Sequence, residues 1–319
     1  MKAVVLAGGY ATRLWPITRH RPKMLLPVGE RTVIDRILDE LEDDKRIDEV
    51  FVSTNERFAD DFERHLAGSG LTKPQLSIEE TIDEGEKFGV IGALAQLVER
   101  EGIAGEDLLV IAGDNLISFD IADFLDFFQQ TGTTTLAAYD VGSRKQASKY
   151  GLVELDGDHV VDFQEKPDDP PSTLVSIACY AFPAEEVRFR EYLEADNNPD
   201  EPGWFIQWLQ EHRPVHAYTF DGAWFDIGTP ENYLAATAWA LDGKTVVADS
   251  ATVEDAKLGT NVHVMAGARV SNATLEGSLV FPGATIEATT LRDSVVDEEA
   301  LVRGLDLTGA LVGAYSQLP

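Results

Sequence analysis

The stretch 3–18, Ala3-Val4-Val5-Leu6-Ala7-Gly8-Gly9-Tyr10-Ala11-Thr12-Arg13-Leu14-Trp15-Pro16-Ile17-Thr18, continues after a short gap into Arg21-Pro22-Lys23-Met24-Leu25-Leu26-Pro27-Val28. Five apolar residues running into a glycine pair read as a buried strand that ends in a tight turn. Glycines there let backbone N–H groups approach an anion closely, and Arg13 and Lys23 bring positive charge for phosphate oxygens. The composition is that of a triphosphate cradle. It is neither the G-x-x-x-x-G-K-[ST] loop nor the dinucleotide fingerprint G-x-G-x-x-G.

Outward from this point, short apolar runs at 50–53, 108–112 and 134–139 read as further strands. Amphipathic helices lie between them. Val33, Ile34, Ile37, Leu38 and Leu41 form one apolar stripe behind Thr32 as N-cap, and Ile91, Leu94, Ala95 and Val98 form another. Such alternation predicts an α/β fold, Rossmann-like, with a mixed, mostly parallel sheet flanked by helices. Ligands then bind beyond the carboxyl ends of the strands, which directs attention to Gly8 and Asp114. Asp156-Gly157-Asp158 spells D-x-D, a metal motif of glycosyltransferases, but Asp-Gly between two apolar runs is hairpin turn chemistry.

Past Asp242-Gly243 the texture changes. Val253, Leu258, Val264, Val270, Leu275, Val280, Ile286, Leu291, Val296 and Val302 recur at steps of five or six with small residues between them. This pattern predicts hexapeptide-repeat coils, about three of them, stacked as a short left-handed parallel β-helix. The expected division is therefore 1–242 and 243–319.

The 56 acidic and 26 basic residues give a formal charge of −30, spread along the chain. A field of that sign repels nucleic acid and anionic membranes, so neither is an expected partner. Its even distribution suggests adaptation to a salt-rich cytoplasm that screens self-repulsion. The single cysteine, Cys179, allows no intrachain disulfide, as expected of a reducing compartment. The first residues are too short an apolar run for a signal or a membrane span, and the expected location is cytoplasmic.

The opening stretch resembles the signature G-G-x-G-T-R-L-x-P-x-T followed by P-K-x-x-x-P of the sugar-1-phosphate nucleotidyltransferases, the NDP-sugar pyrophosphorylases. Further segments match in order. Glu86-Lys87-Phe88-Gly89-Val90-Ile91-Gly92-Ala93-Leu94 resembles E-x-x-G-x-x-G-[AP]-L, and Gly113-Asp114-Asn115 resembles G-D-N. Phe163-Gln164-Glu165-Lys166-Pro167 resembles F-x-E-K-P, and Trp224 to Pro230 resembles W-x-D-[IT]-G-T-P. The resemblance implies the reaction of an NTP with a sugar 1-phosphate to give an NDP-sugar and pyrophosphate, most readily glucose 1-phosphate with dTTP or UTP. It further implies catalytic roles for Arg13, Lys23, Asp114, Lys166 and Asp226, with Asp114 and Asp226 holding Mg²⁺. Leu6, Ala7, Gly8, Gly9, Thr12, Arg13, Gly89 and Gly92 would bind the nucleotide, and Gly151, Glu165 and Lys166 the sugar phosphate.

Two segments depart from the family pattern. Ala11 stands where the signature has its third glycine, which is unstrained only at negative φ. Ser176 and Ala178 stand where the family shows N-x-G-x-Y. Two other readings share the same motifs: a non-catalytic regulatory subunit, and a bifunctional enzyme that also acylates a sugar on its repeat tail. His263 is the one histidine in the tail able to serve an acyl transfer, and the expectation is an outward-facing surface position. The tail is expected to act as a scaffold with flat faces that support a homo-oligomer.

Overall fold

A computed structural model describes residues 1–79 and 88–319; Glu86 and Lys87 lie outside the described residues. The chain divides into two compact units, each made of two segments: Met1–Gly8 with Arg36–Trp224, and Gly9–Asp35 with Phe225–Pro319.

The first unit is built on a mixed sheet with nine strands among the described residues. Numbered along the chain they are β1 (Lys2–Leu6), β2 (Glu49–Asn55), β3 (Pro74–Glu79), β4 (Leu108–Ala112), β5 (Thr134–Asp140), β6 (Gly151–Asp156), β7 (His159–Glu165), β8 (Leu174–Phe182) and β9 (Val215–Thr219). Their spatial order is β3-β2-β1-β4-β8-β5-β9-β7-β6. The neighbours β3, β2, β1 and β4 run parallel, whereas β8 lies antiparallel to both β4 and β5. Val4, Val110, Leu136, Val153, Phe163 and Phe182 are fully buried within one core cluster, and Phe189, Tyr192 and Phe205 pack into it from the helical layer. Each of these side chains contributes roughly 1.5–3 kcal/mol by leaving water.

The structure bears out the predicted hairpin. His159 pairs with Asp156, and Gly157 at φ 65° closes the turn, so D-x-D is turn chemistry here. The first helical stripe is equally clear. Val33, Ile34, Leu38 and Leu41 on the helix Val33–Asp43 are fully buried. Its start is a reciprocal cap: the Asp35 amide donates to Thr32 Oγ1 at 3.4 Å and the Thr32 amide donates to Asp35 Oδ2 at 3.3 Å.

In the second unit the tail forms three parallel sheets of five, five and four strands among the described residues. Val253, Val270, Ile286 and Val302 pair in one ladder, Leu258, Leu275 and Leu291 in a second, Val264, Val280 and Val296 in a third. These are the ten positions of the sequence repeat. The ladders are longer than the three coils expected, because the aliphatic count misses their ends. Thr245–Val247 and Gln317–Leu318 belong to the ladders, yet the end coils leave residues such as Val247 and Val253 exposed, so selection for aliphatic side chains is weaker there. The corners turn through left-handed residues stacked at the same period, for example Asn261, Gly277, Asp293 and Gly309 at φ 45–64°. Asn, Asp and Gly are the residues that accept this conformation at least cost.

His263 does not take the surface position expected of it. All three residues of the strand Val262–Val264 are buried, His263 is 8% exposed, and its Nδ1 finds no hydrogen-bond partner. Burial pulls its pKa down, against the opposing charge of Glu30. Among the described residues no helix is long and apolar enough to cross a membrane.

Candidate active site

In the first unit the parallel register brings three strand ends to one edge. Leu6 of β1 lies between Ser53 of β2 and Ala112 of β4, and the Gly113 amide donates to Leu6 O at 2.9 Å. Gly8 and Asp114, which follow β1 and β4, therefore emerge side by side, as the topology predicted. Asn55 sits at the same edge and does two jobs. Its Nδ2 donates to Gly8 O at 2.8 Å, while its Oδ1 accepts from the Phe58 amide as N-cap of the helix Glu56–Ser69. Glu79, held by the Ser53 hydroxyl at 3.2 Å, lies 3.6 Å from where a Cβ on Gly8 would stand. Sequence reasoning missed both residues; an Asn closing an apolar strand ahead of an acidic helix start was the available signal.

Gly89 and Gly92 have packing reasons to be glycine. Gly89 adopts φ 75° as N-cap of the helix Val90–Arg100, and a Cβ there would overlap the Pro199 carbonyl. The Ile91 amide donates to the same carbonyl at 2.9 Å. A Cβ on Gly92 would press on Phe88 Cβ at 3.1 Å.

Gly151, Glu165 and Lys166 are brought together. The Glu165 carboxylate occupies a niche between two glycines: a Cβ on Gly151 would lie 2.9 Å from Glu165 Oε2, and a Cβ on Gly203 would overlap that oxygen outright. The Glu165 side chain is 5% exposed, and its amide donates to Gln207 Oε1 at 3.1 Å. Burial pushes this carboxyl up to about 7; Lys166 opposes the shift and Glu201 adds to it. Lys166 adopts φ 47°, its amide donates to Tyr150 O, and its half-exposed Nζ pairs with the Glu201 carboxylate. Glu201, Gly203 and Gln207, at the start of the helix Pro202–Gln210, were not singled out from sequence.

The departure at Ser176 and Ala178 falls on a bulge of β8, where the register against β5 shifts between Ser176 and Tyr180. Ala178 has φ 54°, and the preceding Ile177 carbonyl accepts from Asn115 Nδ2, whose Oδ1 accepts in turn from Trp224 Nε1 at 3.0 Å. The Ser176 hydroxyl donates to Tyr180 at 3.1 Å. Both alanines that replace family glycines thus hold left-handed backbone.

The second unit carries the rest. Ala11, at φ 48° and ψ 43°, opens the single turn Thr12–Leu14, and its carbonyl accepts from the Leu14 amide at 3.0 Å and the Thr18 hydroxyl at 2.8 Å. Buried Leu14 anchors this turn while Arg13 projects from it. Buried Met24 anchors the turn Lys23–Leu25 in the same way, and Lys23 Cε runs 3.8 Å from where a Cβ on Gly9 would stand. Arg13 and Asp226 meet over Gly228: a Cβ there would lie 2.8 Å from Arg13 Nη2 and 3.2 Å from Asp226 Oδ1. The Asp226 carbonyl accepts from Asn232 Nδ2 and the Gly228 amide, and Thr229 caps the helix Pro230–Leu241 that follows.

A mixed α/β sheet in one unit, and in the other a glycine turn carrying two cations, have the chemistry that suits phosphate groups. Residues 2–243 match the family model described as nucleotidyl transferase, and the chain belongs to that family as a nucleotidyltransferase. Among similar proteins, the UTP–glucose-1-phosphate uridylyltransferase of Synechocystis is 25% identical over all of this chain and 84% of its own length. The mannose-1-phosphate guanylyltransferase of Mycobacterium tuberculosis is 27% identical over 90% of this chain and 81% of its own. The low-salt glycan biosynthesis nucleotidyltransferase Agl11 of Haloferax volcanii is 27% identical over 80% and 71%. A crystal structure from Bacillus anthracis shares the fold at TM-score 0.65 and 24% identity, covering 75% of this chain and 95% of that one.

Proposed function

We propose that the chain joins an NTP to a sugar 1-phosphate, releasing pyrophosphate, with glucose 1-phosphate and dTTP or UTP as substrates. The observation that carries this reading is the meeting of Arg13 and Asp226 over the bare face of Gly228, on the same unit as Lys23. In the reaction a phosphate oxygen of the sugar 1-phosphate attacks the α-phosphorus as the bond to the bridging oxygen of the leaving pyrophosphate breaks. No side chain bonds to phosphorus, so catalysis is positioning plus charge. Arg13 holds the departing pyrophosphate, Lys23 neutralises the α-phosphate, and Lys166 grips the phosphate of the sugar. Glu165 and the backbone at Gly151 meet sugar hydroxyls, while Leu6, Ala7, Gly8, Gly9 and Thr12 read the nucleotide largely through backbone groups. Gly89 and Gly92 meet the base by backbone contact and close packing, besides the packing reasons described above.

Carboxylate oxygens are the donors that a magnesium ion takes. Magnesium takes one or two carboxylates and fills its other positions with phosphate and water. Asp226 and Asp114 would hold it, and when bound it would offset phosphate charge. We read the three tail sheets as a parallel β-helix that supports self-association.

The test is pyrophosphate release across a panel of NTPs and sugar 1-phosphates in concentrated KCl. Turnover with dTTP or UTP and glucose 1-phosphate is expected. Preference for GTP with mannose 1-phosphate would overturn the substrate assignment, and no release with any pair would overturn the reaction.

A further inference from the structure

Arg21 stands two residues before Lys23 and would serve as well as any cation to bind phosphate if it faced solvent. It is fully employed elsewhere. Its Nη1 meets Asp297 Oδ1 at 2.8 Å, its Nη2 meets Glu298 Oε1 at 3.2 Å, and its guanidinium lies over the Phe281 ring at 5.1 Å. Asp297 is 1% exposed and is oriented by its backbone: its amide donates to Val312 O of the next coil, and its Oδ1 accepts from the Glu298 amide. The loop has further seats in the same unit. A Cβ on Gly313 would crowd Pro16 Cβ at 2.8 Å, and the buried Tyr233 hydroxyl donates to Pro27 O at 2.8 Å. Residues 16, 21 and 27 are thus fixed on either side of Lys23, two of them by tail coils nearly the whole length of the chain away.

A surface ion pair would contribute little to holding such a loop. Here Asp297 is buried and Arg21 nearly so, so removing one of the two leaves a charge with little compensation. The pair also has directional value, because the guanidinium fork accepts one arrangement of two carboxylates. We propose that Arg21 and Asp297 are positioning residues for nucleotidyl transfer: the tail coil fixes Arg21, and Arg21 fixes where Lys23 meets the nucleotide. The inference rests on the proposed role of Lys23 and extends the tail from scaffold to part of the catalytic apparatus.

The experiment uses the full chain with Asp297→Asn, with the paired replacement Arg21→Met plus Asp297→Leu, and with each of these on Lys23→Ala. Asp297→Asn is expected to lower kcat on the order of tenfold or more, as an ångström of misplacement does, with little change in the KM for the sugar 1-phosphate. The paired replacement removes both charges together, so it is expected to recover thermal stability without recovering kcat. On Lys23→Ala neither change should reduce turnover further. A second readout needs no activity: the rate at which an amine-reactive reagent modifies Lys23, followed by peptide mass spectrometry, should rise in both variants while that of Lys145 stays constant. Wild-type kcat in the paired replacement, additive losses on Lys23→Ala, or an unchanged Lys23 modification rate would each overturn the inference. Absence of nucleotidyl transfer in the wild type would instead overturn the functional reading, and the modification rates would still decide whether the pair seats Lys23.

Discussion

The two charge clusters proposed to bind phosphate hold their charges by different means. Around Glu165 the charges oppose one another: a carboxylate is pressed between two glycines until its pKa rises to about 7, and its neighbour Lys166 is already neutralised by Glu201. Around Arg13 and Lys23 each cation stands on a short turn nailed down by a buried apolar neighbour, Leu14 or Met24, with a glycine face beside it. The first cluster is a balance that a ligand or a proton can tip. The second is a fixed frame, and removing a member leaves nothing to take its place.

The comparison is broken most directly at Arg13. Arg13→Ala should lower kcat by about a hundredfold or more, as does loss of one preorganised donor to a transition state. Wild-type turnover by a folded variant would mean that the frame is not catalytic. Next in size is metal removal. EDTA should abolish activity and Mg²⁺ restore it, with Asp226→Asn raising the Mg²⁺ concentration needed; full activity in EDTA would exclude both aspartates from that role.

The balance is sharpened by Glu201→Gln, which frees Lys166 from its competitor. The KM for the sugar 1-phosphate should fall by roughly two- to tenfold with kcat little changed, within the range of a partly exposed charge pair. An increase in KM would show that Glu201 helps to bind substrate.

Titration of Glu165 gives a smaller and pH-limited effect. Its folded pKa lies above the ordinary value of 4.5, so the native state keeps a proton that the unfolded chain loses between about 4.5 and about 7. Stability should therefore decline as pH rises through that window, by on the order of 3 kcal/mol at most, and level off above it. Urea midpoints measured from pH 4.5 to 8 should show this slope in the wild type and less of it in Glu165→Gln. An identical slope in the variant would place the titrating group elsewhere. The smallest expected effect is at the two alanines with left-handed backbone. Ala11→Gly and Ala178→Gly should each raise stability by about 0.5–1 kcal/mol, the relief of φ outweighing the entropy of glycine. Lower melting temperatures would show that the strain is illusory.

Much of this was legible in the sequence because the relevant residues act through their neighbours in the chain. The strand-to-glycine transition at Ala7-Gly8, the Thr32 cap and the Asp156-Gly157 turn are local devices, and the tail repeat announces itself through period alone. What escaped were long-range requirements. Gly203 is glycine because Glu165 needs the space, and Gly89 because the Pro199 carbonyl passes it; neither reason can be read within ten residues of the glycine. His263 was misjudged because alternation within a strand gives inside and outside of a coil but not what else covers the outside. Packing also joins Gly9–Asp35 to the tail across most of the sequence, a grouping no change in composition marks.

That grouping sets an order of events during synthesis. The glycine loop and Arg21 leave the ribosome early, while Asp297, Phe281 and Gly313 arrive on the order of tens of seconds later at ordinary elongation rates. Until then Arg21 lacks its carboxylate partners, and of the three seats only that of Pro27 on Tyr233 can form. A nascent chain stopped short of Asp297 thus carries Arg21 without the carboxylate that meets it in the folded protein.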